Sequence, residues 1–328
     1  MLDFKRWFSF TRLTTQNEIN PLPAMIEPYA EQRKSGAVLV GVATDLSLNA
    51  YDVQIGAKEG PDSIRRMLAK YPLTLNVPLY DAGVIDEQSM EWSSFDVLQS
   101  MQYQKVREIL QAGHFPVVLG GGHEVAIASY RALSDTVNRV NDAAQPEVIA
   151  PLPNPCASRV GIVNIDANFQ LRRSLAVRSG SAFHSVASFC QSQQREFRYL
   201  GLGICDHTNS QSSFAYASEL GAKWLLDSEM KMKYRRKIQA TVDAFVEQVD
   251  HIHLSLDLAV FSSAVAEGVN MSRVYGVSLP VIEMVLKQLM ASGKVRIMDV
   301  AGLYTEYDYQ GQTARLAAKL IQHSLKNI

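Results

Sequence analysis

The sequence predicts an α/β fold, a doubly wound and mostly parallel sheet with helices on both faces. Three observations carry that reading. Eight short apolar runs alternate with segments of helical periodicity along the 328 residues. The central runs are apolar nearly throughout, as strands covered on both faces must be. Three of them end on residues that bear chemistry: Val117-Val118-Leu119 runs into Gly120-Gly121-Gly122-His123-Glu124, Val160 to Ile165 into Asp166, and His253 to Leu256 into Asp257. The carboxyl ends of strands are where open α/β sheets place their sites.

The elements follow in order. Residues 1–35 form an N-terminal arm in which Pro21 and Pro23 interrupt any long element. Ala37 to Val42 is the first strand. Gly56 to Leu68 is a glycine turn entering a helix, with Pro61 suited to the first helical turn. Leu75 to Tyr80 is the second strand. Phe95 to Gln111 has helical spacing at Val97, Met101, Val106 and Leu110, and Gly113 stops it. Phe115 to Leu119 is the third strand, and the glycines after it let the chain turn sharply into a helix that begins near His123. Residues 136–158 hold four prolines and no clear period, and read as a loop. Strands at Val160–Ile165, Tyr199–Gly203, Lys223–Leu226, Ile252–Leu258 and Val295–Val300 complete the sheet. Helices at Ala182–Gln194, Lys231–Val249, Leu279–Met290 and Thr313–Leu325 accompany them.

Composition bounds the function. A 47% hydrophobic content supports one large core, so residues 1–328 are read as a single domain. Thirty-two Lys and Arg against 33 Asp and Glu give a net charge of −1, which supplies no basic field for nucleic acid. Cys156, Cys190 and Cys205 are odd in number and widely spaced, forming neither a metal pattern nor a disulfide set. The N-terminus lacks the apolar core of a signal peptide, and no run approaches the roughly 18 apolar residues of a membrane span. The expectation is a cytoplasmic protein with no membrane or nucleic-acid partner.

Each chemical residue has a plain structural reading by itself. His123 suits a hydrogen-bonded turn, and Asp166 and Asp257 suit helix caps. Together, one His and two Asp from three strand tips form a set for a hard or borderline divalent metal.

The order Gly120-Gly121-Gly122-His123-Glu124, Asp166-Ala167-Asn168-Phe169-Gln170-Leu171-Arg172, then Ser255-Leu256-Asp257-Leu258-Ala259, resembles the ureohydrolase (arginase) superfamily. The GAKEGPDSIR stretch upstream and QTARLAAKLI downstream extend the resemblance from about Gly41 to Ile321, and the formimidoylglutamase branch is the most similar. The resemblance implies a three-layer α/β/α fold with an eight-stranded parallel sheet. It also implies hydrolysis of formimino or guanidino C–N bonds, in which paired Mn²⁺ ions activate a bridging water. One metal would be held by His123, Asp166, Asp257 and position 170. The other would need Asp166, Asp257 and positions 168 and 259.

Against that pattern the chain departs at four site positions, and also at Ser262-Ser263 and Glu267-Gly268, where the family has Asp-Pro and Pro-Gly. Asn168 stands for a His ligand, Gln170 and Ala259 for Asp ligands, and Gly302 for the Glu that the family sets near the amidine. His123, Asp166 and Asp257 remain, with Gln170 a weak fourth donor, so the cofactor expectation is one divalent metal or none. The resemblance also makes the loop through Ser179, Gly180 and Ser181 a binder for the substrate's amino-acid end. A glycine-serine turn entering a helix is its plain alternative. His184 is read with this loop as substrate-binding, at the place for a proton shuttle, with a surface histidine as its plain alternative; Arg172 and Arg173 are candidates to meet a carboxylate, with a solvated face as theirs. The functional expectation is a formimidoylglutamase-like protein with a degraded two-metal centre, weakly active or inactive. The alternatives are a non-catalytic homologue that binds an amidine or amino-acid-like ligand, or a structural partner of an active paralogue. A homo-oligomer is expected by the resemblance.

Overall fold

A computed structural model of the chain describes residues 26–30, 34–45, 56–70, 75–86, 95–138, 158–270 and 273–328. The apolar runs become one parallel sheet in the order β1-β3-β2-β4-β9-β8-β5-β6-β7. The strands are β1 (Glu27–Pro28), β2 (Ala37–Ala43), β3 (Leu79–Asp86), β4 (Phe115–Gly120), β5 (Val160–Ile165), β6 (Arg198–Ile204), β7 (Lys223–Leu226), β8 (His251–Asp257) and β9 (Val295–Ala301). The helices are α1 (Gly60–Lys70), α2 (Phe95–Gln111), α3 (Val125–Val137), α4 (Ala182–Ser192), α5 (Gln211–Glu219), α6 (Arg235–Glu247), α7 (Leu279–Ala291) and α8 (Gln312–Leu325).

Two cores cover the two faces of the sheet. One joins Ile64 and Leu68 of α1 to Val242 of α6, Val285 of α7 and Leu320 of α8, against Leu39, Leu119, Val163 and Leu254. The other joins Leu98 of α2, Leu133 of α3 and Val186 of α4 to Val118, Ile162 and Ile297. Successive residues of β4, β5 and β9 thus serve opposite cores, which is why these strands are buried on both sides.

This topology sets the site. Strands up to β4 are laid toward one edge and β5, β6 and β7 toward the other, while β8 and β9 fill the gap between β4 and β5. The crevice at such a reversal is where an open α/β sheet binds its ligand. On β5 and β8, Ile165 pairs with Leu256, so the next residue on each strand is a carboxylate. Gly121 ties the neighbouring loop down. A Cβ there would stand 2.6 Å from the Thr44 carbonyl oxygen and 3.0 Å from that of Ala57, so only glycine admits this close backbone approach.

Several sequence expectations need correction. The sheet has nine strands, not eight, because Glu27–Pro28 pairs with Tyr80 and Asp81 at its edge. Two residues are too short to carry a period. The second strand runs over Leu79–Asp86 rather than Leu75–Tyr80. Leu75 and Val77 do pack on the core, but from outside the sheet. Helix α5 was not anticipated, since its serines read as loop; Ser210 caps it by accepting from the Ser213 N–H at 3.2 Å. Most of the arm at 1–35, most of the loop at 136–158 and Cys156 lie outside the described residues. Among the described residues no helix is long and apolar enough to cross a membrane.

Leu254 is fully buried at the centre of this sheet. Leu254→Ala should cost about 2–5 kcal/mol of unfolding free energy, read as a lower urea midpoint at unchanged slope.

Candidate functional site

The three strand tips converge. His123, Asp166 and Asp257 each present a ligand atom, all within 4.8 Å of one another, and all three residues are buried. His123 Nδ1 lies 2.9 Å from Asp257 Oδ2 and 3.4 Å from Asp166 Oδ2. Its other nitrogen, Nε2, is 2.9 Å from Ser255 Oγ. Ser255 and Asp257 are two apart on β8 and share a face, so one strand grips both nitrogens of the ring. Phe183 of α4 packs edge-on against that ring at 5.3 Å.

The carboxylates are anchored locally. Asp166 Oδ1 accepts the Asn168 N–H at 3.0 Å, and Asp257 Oδ1 accepts the Ala259 N–H at 2.8 Å. These are the turn-capping bonds expected of an Asp after a strand, so the plain structural reading and the chemical one are both realised. Burial and the neighbouring Asp257 charge push the Asp166 carboxyl up to about 7, while His123 and the Gln170 amide pull the other way. Burial pulls His123 down, but its hydrogen bond to Asp257 and the charges of Asp166, Asp257 and Asp299 outweigh it and raise its pKa. Asp166 and His123 therefore hold their protons more tightly than they would in water.

Gln170 enters the cluster with its nitrogen. Its backbone sits at φ +54°, in the left-handed region, and its carbonyl oxygen accepts the N–H groups of Phe183 and His184 at 2.9 and 3.2 Å. That anchor aims the side chain inward, where Nε2 donates to Asp166 Oδ2 at 2.8 Å. The amide oxygen Oε1 is buried without a hydrogen-bond partner among the described residues. Gly302 adopts φ +85°, and its N–H donates to the Gly121 carbonyl at 3.1 Å. A Cβ at position 302 would stand 2.2 Å from Asp257 Oδ1, so a side chain at 302 and this placement of Asp257 exclude each other.

These residues border a cavity of about 90 Å³, lined by Asn168, Gln170, Ala259 and Gly302 together with Asn270 and Tyr304. Asn168, Gln170, Ala259 and Gly302 thus meet at one place. The Tyr304 hydroxyl receives a bond from Asn270 Nδ2 at 3.2 Å, and burial plus the charges of Asp257, Glu124 and Asp45 raise its pKa.

The donor set suits one cation better than two. His123 Nδ1, Asp166 Oδ2 and Asp257 Oδ2 can converge on a single ion, with Gln170 Oε1 a neutral fourth donor after rotation of its amide. A second ion would find a methyl group at Ala259, whose N–H already binds Asp257. An alanine side chain supplies no ligand, so the residues present do not fit the pair.

The loop residues divide. Ser179 and Gly180 line both the cavity and an open basin of about 720 Å³ beside it, which Arg172 also borders. Ser181 does not reach either; its hydroxyl donates to the Arg178 carbonyl and accepts the Arg178 N–H, closing the turn. His184 is bound to the Tyr216 hydroxyl at 2.8 Å and does not line the cavity. Burial and the charge of Arg173 lower its pKa. Arg173 lies over the Tyr216 ring at 4.1 Å and pairs with Glu219, a helix that the sequence did not reveal. Ser255 was legible only through its period-two spacing from Asp257, and Tyr304 carried no signal.

Comparison with known proteins shows the family. The model of the arginase family matches residues 35–326. The formimidoylglutamase of Ralstonia nicotianae is 37% identical over 288 residues, covering 88% of this chain and 84% of that protein. That of Aeromonas salmonicida is 34% identical over 300 residues, covering 91% and 89%. Among solved structures, Bacillus subtilis formimidoylglutamase superposes with a TM-score of 0.79 at 18% identity, covering 98% of this chain and 96% of that one. Trypanosoma cruzi formiminoglutamase with Mn²⁺₂ gives 0.73 at 20% identity, covering 90% and 95%. The chain belongs to the arginase family and is formimidoylglutamase-like within it.

Proposed function

We propose that this protein has the scaffold of a hydrolase of linear amidine C–N bonds, with a metal centre reduced to one weak site, and that its turnover is slow or absent. The observation that carries this reading is the Gln170 amide, whose N–H is turned onto Asp166 Oδ2 at the heart of the cluster. An Asp at that position would add negative charge for a dication; the amide instead satisfies the acid with a neutral donor. Ala259 and Gly302 remove two more anionic groups from the same cavity. Removing anionic ligands weakens the hold on a hard dication.

When bound, a single divalent ion at His123 Nδ1, Asp166 Oδ2 and Asp257 Oδ2 would supply Lewis-acid polarisation of a ligand or water. The chain's own residues do the rest. Ser255 Oγ and Asp257 fix the orientation of the His123 ring. Ser179 and Gly180 border the passage from the basin to the cavity, and Arg172 at the basin offers a cation to a carboxylate at the far end of an amino-acid-like substrate. A second reading, a homologue that binds such a ligand without turnover, is favoured by the same intact cavity and loop.

Metal analysis of the purified protein, followed by Mn²⁺ titration with assays on N-formimino-glutamate, arginine and agmatine, tests the proposal. At most one weakly held ion per chain and feeble turnover are expected; two tightly bound ions or robust turnover would refute it. The variant Asn168→His/Gln170→Asp/Ala259→Asp should bind Mn²⁺ at least about tenfold more tightly, a gain of roughly 1.4 kcal/mol, in calorimetry. It should stay slow, because position 302 still lacks an acid.

The sign of the pH dependence is fixed by the raised pKa values. Asp166 titrates at about 7 in the folded chain and near 3.9, roughly, when unfolded. His123 is raised as well. For both groups the stabilising contribution is complete below the unfolded pKa and is lost as pH climbs through the folded one. Metal-free protein should therefore melt lower at about pH 8 than at about pH 6, and added Mn²⁺ should stabilise it more at the higher pH, where fewer protons compete for the ligand atoms. Thermal melts in chelator, with and without Mn²⁺ afterwards, read this directly. A metal-free melting temperature that rises with pH would contradict it.

A further inference from the structure

A second cleft lies at the other end of the strands. It sits where β2, β4 and β9 begin, beside the last turn of α7 and just past the ends of α2 and α8. The acid cluster stands at the opposite, carboxyl ends. Strand β4 alone covers Phe115–Gly120 between them, and at about 3.3 Å per residue that is about 16 Å of chain. The cleft has a volume of about 440 Å³, inside the range of small-molecule sites, roughly 300–1,000 Å³.

Val77, Phe115, Met290 and Val295 give the cleft an apolar lining. Its backbone wall is fixed by bonds between the starts of β2 and β4. The Gly36 carbonyl accepts the Phe115 N–H at 2.9 Å, and the Gly36 N–H donates to His114 Nδ1 at 3.2 Å. Ser35 Oγ donates to the Gly113 carbonyl at 2.6 Å. The His114 ring is met edge-on by Tyr29 and Tyr80, at 5.4 and 5.7 Å between centroids. The shape of the cleft therefore does not wait on a ligand.

Charge decides what such a cleft would take. Arg296 lines it, and among the described residues no Asp or Glu does. The Arg296 side chain is exposed and makes no hydrogen bond or ion pair with a described residue. Lys294, two residues earlier, differs: its Nζ is spent on the carbonyls of Val246 and Val249 at 2.8 and 2.9 Å. A free guanidinium matches a planar carboxylate, which it can grip through two parallel hydrogen bonds. An exposed ion pair contributes little by itself, so burial of an apolar body must supply most of the affinity. We propose that this cleft is a second ligand site, for a small organic anion with a carboxylate on an apolar, ring-sized body. Arg296 takes the carboxylate, and Phe115 and Met290 take the ring.

The test is calorimetric titration of the full-length protein with 3-phenylpropionate. The amide 3-phenylpropanamide and the amine 3-phenylpropylammonium serve as neutral and cationic probes with the same body. The carboxylate should bind about two- to fivefold more tightly than the amide, the margin that an exposed pair supplies. That margin should shrink as salt rises from about 0.05 to about 0.5 M, because exposed charges are screened. Arg296→Gln should bring carboxylate and amide to equal affinity without loss of folding, since the side chain is exposed and unbonded. The methyl carbon signal of Met290, assigned through the conservative variant Met290→Leu, should shift during the titration and so place the ligand in the cleft. No binding of the carboxylate, equal binding of carboxylate and amide, a preference that survives Arg296→Gln, or a Met290 signal unmoved at saturation would overturn the inference. None of these outcomes bears on the acid cluster, which metal analysis tests separately.

Discussion

Two carboxylates and an imidazole held together away from water are the constraint around which the rest of this molecule is arranged. Asp166 and Asp257 follow paired residues on adjacent strands, so the sheet register itself forces like charges into proximity. Burying such a pair is costly unless something positive or hydrogen-bonding is placed against it. The chain answers with His123 from the next loop, gripped at both nitrogens by β8, with backbone N–H groups at each acid, and with the Gln170 amide. The left-handed backbone at Gln170, secured by two N–H groups at the start of α4, belongs to the same answer. Strained backbone of this kind persists where the surroundings over-determine it.

The same cluster explains why Asn168, Gln170, Ala259 and Gly302 are not independent of one another. They line one cavity, and two of them are coupled through space. The Asp257 carboxylate stands where a side chain at 302 would begin, so the glycine at 302 and the present position of Asp257 are one structural fact. Gln170 is likewise more than a weakened ligand. Its nitrogen, not its oxygen, meets the acid, so the position acts as a hydrogen-bond donor. The outer basin tells a different story: Ser179, Gly180 and Arg172 still border the approach, whereas Ser181 and His184 are spent on holding the turn and meeting Tyr216.

The fold was legible because its cause is local. Continuous apolar runs such as Val160–Ile165 and Val295–Val300 can be satisfied only as strands covered on both faces, and α2, α6 and α8 show their periods openly. What was missed lacked such a cause. Glu27–Pro28 is a strand only because β3 offers it an edge. Helix α5 is rich in serine, whose side chains compete with the backbone and read as loop until a cap settles them. Leu75 and Val77 are apolar because they pack, not because they pair.

The sequence by itself determined the family and the three residues at the strand tips, since each is a matter of residue identity at a place fixed by flanking motifs. Tertiary structure alone decided how those identities act. Which end of the Gln170 amide meets Asp166, which side of the turn Ser181 and His184 face, and what space Gly302 leaves open depend on directions and distances between segments far apart in the chain. A linear motif carries no such directions, because rotamers and close approaches are set by whichever neighbours the packed sheet brings near.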